Sequence, residues 1–275
     1  MSRLWVIALV ALAAGAARAE SPAPTQRIAY ANDDSLQFGD LTLPPGPGPF
    51  PLAVVIHGGC WVSRISSLDG TAALAAALNE SGVATWNIEY RRVGDRGGGW
   101  PGTFLDVGAA TDYARTLAET HPLDLRRVVV VGHSAGAHLA LWVAARAKLP
   151  ARSELRRESP LPLRGVVALA PPTDLRAIAA RAGDVCGSRT LERLLGGTLH
   201  AVPRHYAEAS PAALLPLAVR QVLVAGSEDH LIPPSLVAGY ASAARAAGDP
   251  VELDEVQGAN HMDLIAAGPP AWPTV

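Results

Sequence analysis

Val128-Val129-Val130-Val131-Gly132-His133-Ser134-Ala135-Gly136-Ala137-His138 joins an unbroken β-branched run to a Gly-x-Ser-x-Gly turn, with an Ala/Leu-rich segment behind it. Four valines suit a strand buried on both sides, and Ala135 to Ala147 suits a helix. A turn this tight leaves no room for side chains two residues either side of the serine, which accounts for Gly132 and Gly136. Such an elbow lifts the Ser134 hydroxyl above the sheet, within reach of a base. Alone the pattern is common. Between a buried strand and a helix it is specific.

Outward from the elbow, strand-like and helix-like segments alternate, which predicts an α/β fold with a mainly parallel central sheet and helices on both faces. Ile28 to Leu43 reads as one or two antiparallel edge strands, and Leu52 to Ile56 as the first parallel one. A helix is expected over Leu68 to Asn79, ended by Gly82, then a strand over Val83 to Tyr90 and a helix over Thr103 to Thr120. Beyond the elbow come a strand at Val166 to Ala170, another at Gln221 to Ala225, a helix at Pro234 to Ala247 and a strand at Val251 to Val256. Residues 173–217 break the rhythm with Gly183, Gly196-Gly197, Pro203 and Ser210-Pro211. Insertions of this length are usually functional, so a small helical cap is expected before the acid-bearing strand.

The 275 residues suit one sizeable domain, and hydrophobic content of 49% with 17% charged residues fits a well-buried chain. A net charge of −2 gives no basic footprint for nucleic acid. At the N-terminus, Arg3, the apolar stretch Leu4 to Ala14 and Ala17-Arg18-Ala19 read as a signal peptide over residues 1–19. A single domain then spans residues 20–275, exported to a periplasm or beyond, with no stable membrane insertion after cleavage. The competing reading, a membrane anchor, requires a longer apolar stretch. Two cysteines, Cys60 and Cys186, either form one bridge in an oxidising compartment or remain separate thiols.

A serine nucleophile needs a base, an acid to orient it, and donors for an oxyanion. His261, in Gly258-Ala259-Asn260-His261 after the last expected strand, is the candidate base, with His230 its competitor. Asp229, in Gly226-Ser227-Glu228-Asp229 at the turn after Gln221 to Ala225, is the candidate acid; Glu228, Asp254 and Asp263 are alternatives. Gly58, Gly59 and Cys60, in His57-Gly58-Gly59-Cys60-Trp61, are the candidate oxyanion loop, together with the amide of Ala135. Trp61 and Trp100 lie on loops expected near the site, as substrate platforms or as packing anchors. No cofactor is called for: Gly97-Gly98-Gly99 lacks the Gly-Lys-Ser/Thr of a phosphate loop, and no His-Glu-x-x-His points to a metal.

With these residues in place the chain resembles the α/β-hydrolase superfamily, in its branch with a His-Gly-Gly-x-Trp motif. Its elbow and oxyanion motifs, Asn87-Ile88-Glu89-Tyr90-Arg91-Arg92, Trp100-Pro101, Asp106 and Ser210-Pro211 look like those of feruloyl-esterase-like carboxylesterases and kynurenine-formamidase-like hydrolases. The resemblance implies an acyl-enzyme route on Ser134, Asp229 and His261, a small-molecule ester substrate and no cofactor. An arylformamidase is the alternative enzyme, and a binding protein on a retired hydrolase fold the alternative of another class. Substrate range and oligomeric state are not legible.

Overall fold

The computed structural model describes residues 24–32, 35–180, 186–187 and 189–266; the expected signal peptide lies outside them. Eight strands form one sheet in the order β1-β2-β4-β3-β5-β6-β7-β8. β1 (Gln26–Ala29) and β2 (Phe38–Thr42) are antiparallel, and β2 is antiparallel to β4 (Ala84–Ile88). The remainder is parallel: β3 (Phe50–Ile56), β5 (Leu123–His133), β6 (Gly165–Leu169), β7 (Arg220–Gly226) and β8 (Val251–Val256). Every residue of β4 and of β6 is buried. Successive strand residues point to opposite faces, so both faces of the sheet are covered.

Several elements differ in extent from the sequence reading. β5 begins at Leu123, paired with Phe50 ahead of a bulge, because Asp124 satisfies the guanidinium groups of Arg126 and Arg127 within the strand. That polar stretch carries no hydrophobic pattern. The expected helix at Leu68 opens as a 3-10 turn, Leu68–Thr71, before α1 (Ala72–Glu80). The expected helix from Thr103 is two, α2 (Gly102–Asp112) and α3 (Ala114–Thr120). At their junction the Asp112 carboxylate accepts from Arg146 Nη1 (2.8 Å) and from the Leu161 amide (2.7 Å). α4 (Ala135–Ala145) ends in a 3-10 turn, Arg146–Lys148.

The insert contains α5 (Leu175–Ala179), α6 (Thr190–Leu195) and α7 (Pro203–Ala209). Asp174 caps α5 by accepting from the Arg176 and Ala177 amides at 3.0 and 3.1 Å. α7 is tied to α4, with His138 Nε2 donating to Ala209 O (2.8 Å) and Trp142 Nε1 to Glu208 O (3.0 Å). α8 (Pro234–Ala246) then packs on β7 and β8.

Two buried histidines give the fold an acid-side liability. Burial pushes His133 and His138 each down to about 4. Both are therefore neutral in the folded chain at neutral pH, whereas the unfolded chain protonates them near their ordinary value of about 6.5. Unfolding takes up protons across that window. Stability is expected to be level above about pH 6.5 and to fall towards pH 4 by about 1.4 kcal/mol per pH unit for each histidine. Thermal melts from about pH 8 to about pH 4.5 check this; a Tm unchanged at about pH 5 refutes it.

Candidate active site

The elbow carries the strain that its sequence foretells. Ser134 has φ 54° and ψ −122°, a left-handed backbone that a non-glycine residue holds only under constraint. The constraint comes from both sides. The Ser134 amide donates to Leu169 O (2.8 Å), continuing the β5–β6 ladder through the serine, and α4 starts at the next residue. A Cβ on Gly132 would lie 2.3 Å from Gly136 O, and one on Gly136 only 2.1 Å from Ile56 O.

His261 lies just beyond β8, and its Nδ1 donates to Asp229 Oδ2 at 2.7 Å. Asp229 Oδ1 accepts from the Leu231 and Ile232 amides at 2.9 and 2.8 Å. Burial alone would raise the Asp229 pKa, but the His261 bond and these two amides hold it below the usual carboxylate range. An ionised Asp229 fixes the proton of His261 on Nδ1 and leaves a lone pair on Nε2. The His261 carbonyl accepts from His133 Nε2 (2.9 Å), and the two rings lie 4.5 Å apart. Glu228 and His230 are exposed, and Asp263 is engaged with the Asn260 amide (2.8 Å). Of the sequence candidates, Asp229 is the one bonded to His261.

Opposite, the loop after β3 runs through three left-handed residues, Gly59 (φ 99°), Cys60 (φ 54°) and Trp61 (φ 56°). Among the described residues, the amides of Gly59, Cys60 and Ala135 are bonded to no acceptor. Two anchors hold the strained turn: Cys60 is disulfide-bonded to Cys186, and Trp61 Nε1 donates to His138 Nδ1 (3.2 Å). Ser134 and His261 line one cleft with the disulfide, Trp61, Leu191 and Ile232. The cavity measures about 30 Å³, and its walls are mostly apolar. Trp100 is elsewhere, stacked on His205 at 4.1 Å and donating to Glu154 (2.5 Å), so it packs loops together. Among the described residues, no three His, Cys, Asp or Glu side chains are arranged to hold a metal ion, and no helix is long and apolar enough to cross a membrane.

Three residues of the quoted motifs have partners that the sequence does not show. His133, within the elbow motif, and His138, on the elbow helix, hold the His261 carbonyl and Trp61. Glu89 is buried and bonded to His57. A carboxylate closing an apolar strand is the signal that would have exposed it, since buried charges require partners.

A family model described as BD-FAE matches residues 40–238. Esterase LipC of Mycobacterium tuberculosis is 29% identical over 271 residues, covering 94% of this chain and 65% of LipC. The chain thus spans less than two thirds of that relative. A truncated carbohydrate esterase from gut microbiota superposes with a TM-score of 0.76 at 19% identity, over 89% of this chain and 92% of that one. A propionate-bound esterase, Est2 of Thermogutta terrifontis, gives 0.69 at 20% identity, over 86% and 84%.

Proposed function

The chain belongs to the BD-FAE family of α/β-hydrolases, and from that premise we propose that it hydrolyses carboxylic esters through an acyl-enzyme on Ser134. The observation that carries this reading is the 2.7 Å Asp229–His261 bond on a cleft that also holds Ser134. His261 Nε2 takes the Ser134 proton as the hydroxyl oxygen attacks the ester carbonyl. Asp229 stabilises the imidazolium that results. The free amides of Gly59, Cys60 and Ala135 receive the oxyanion. His261 then returns the proton to the leaving alcohol, and water repeats the cycle to release the acid.

The narrow cleft favours short acyl groups, in keeping with the propionate held by the Thermogutta enzyme. Export, expected from residues 1–19, is supported by the disulfide, since such bonds persist in oxidising compartments.

Turnover of p-nitrophenyl acetate beside Ser134→Ala tests the reading. The variant is expected to lose on the order of 10⁶ in kcat, and paraoxon is expected to phosphorylate Ser134 stoichiometrically. Turnover of an aryl formamide in place of the ester would assign the alternative, amide-cleaving chemistry. Failure of paraoxon to label Ser134 would overturn the serine mechanism.

A further inference from the structure

Beneath the oxyanion loop lies a group of charged side chains that the chemistry above does not use. His57 is 0% exposed and Glu89 2%. His57 Nε2 lies 2.9 Å from Glu89 Oε1, and His57 Nδ1 lies 2.8 Å from Gly58 O. Both partners are oxygen atoms, one on each side, so the ring is held through its two nitrogens. Glu89 also accepts from the Tyr90 amide (2.9 Å) and the Leu68 amide (3.2 Å), with Arg92 Nη2 at 3.4 Å. Tyr90 stacks on the imidazole at 4.3 Å and donates its hydroxyl to His57 O (2.8 Å). The ring therefore has one orientation open to it.

The Gly58–Gly59 peptide is planar and trans, so its carbonyl and its N–H point in opposite directions. Anchoring Gly58 O on the His57 ring turns the Gly59 N–H away from the ring. Gly58 itself lies against the nucleophile: a Cβ built on it would be 3.3 Å from Ser134 Cβ.

We propose that Glu89 and His57 are positioning residues that lock the Gly58–Gly59 peptide so that the Gly59 N–H faces the oxyanion. The chain of contacts runs from the Glu89 carboxylate through both nitrogens of His57 to the Gly58 carbonyl. It rests on the esterase reading for its kinetic consequence but not for its geometry. A bond from each donor to the next acceptor also polarises the peptide and strengthens its far N–H as a donor.

The test exploits side-chain shape. An asparagine amide nitrogen sits where His Nδ1 sits, whereas a glutamine amide nitrogen sits where Nε2 sits. His57→Asn is therefore expected to keep the Gly58 contact while losing the Glu89 one, and to retain more of kcat than His57→Gln. His57→Gln and Glu89→Gln are expected to lose about 10- to 100-fold in kcat for p-nitrophenyl acetate with KM little changed, a part of what deleting a whole oxyanion donor costs. The matching thionoester, whose sulfur is a poor hydrogen-bond acceptor, should lose far less in the same variants. Equal losses on both esters, or His57→Gln more active than His57→Asn, would overturn the proposal. Crystal structures of the two His57 variants read the anchor without any activity: the Gly58 carbonyl should keep its direction in the asparagine variant and rotate in the glutamine one. An inactive wild type with that rotation would refute the esterase reading alone; an active one without it would refute the anchor.

Discussion

Asp229→Asn is expected to lower kcat for p-nitrophenyl acetate by about 10⁴-fold while the chain stays folded. The geometry dictates which way the new amide turns. Its oxygen must replace Oδ1, because two backbone amides, those of Leu231 and Ile232, point at that position. Its NH₂ then faces His261 Nδ1, where the carboxylate had accepted at 2.7 Å. A donor there forces Nδ1 to accept, so the imidazole proton moves to Nε2. That nitrogen can no longer take the Ser134 proton. Steady-state kinetics together with a thermal melt check the result. A loss below tenfold, or one matched by unfolding, would show that His261 does not depend on Asp229 for its tautomer.

Gly136→Ala should do its damage to the fold itself. The added methyl would sit 2.1 Å from Ile56 O and 2.5 Å from His57 O, both backbone atoms of a buried strand end. Flexible side chains can move aside, but a parallel ladder cannot without breaking its register with β5. The expected loss is at least about 3 kcal/mol, which for a domain of this size lowers Tm by roughly 6 to 12 °C. Gly239 in α8, with nothing within 4 Å of its Cβ position, is the internal control. Gly239→Ala should be neutral or stabilising by up to about 1 kcal/mol. Differential scanning calorimetry on both variants decides; similar melting of the two would mean that the elbow opens more easily than its contacts imply.

The elbow, the parallel sheet and the order of the Ser134, Asp229 and His261 loops were legible because each rests on a local rule. Four valines can only be a buried strand, and Gly132 and Gly136 are answers to sterics within a few residues. Asp229 and His261 each follow a strand whose pattern ends cleanly. Illegible features depend on partners far along the chain. The Cys60–Cys186 pairing, one of the two readings open for these cysteines, joins residues separated by 126 positions, with no local signal to choose it. Glu89 reads only as one position of the Asn87–Arg92 motif until His57 and Arg92 are folded around it. β5 was read too short because Asp124, Arg126 and Arg127 cancel one another's charge through contacts that hydropathy does not register.

The disulfide also divides the chain in the order of its synthesis. It closes a covalent ring that begins at the oxyanion turn, contains Ser134 and ends in the insert. Asp229 and His261 both lie after that ring. In chain order, the proposed nucleophile and oxyanion donors thus precede the proposed acid and base. The acid and the base arrive only with the last two strands. On the proposed mechanism, a chain stopped before β8 carries Ser134 and the oxyanion loop without His261, and is expected to lack hydrolytic power until that last strand and its loop are added.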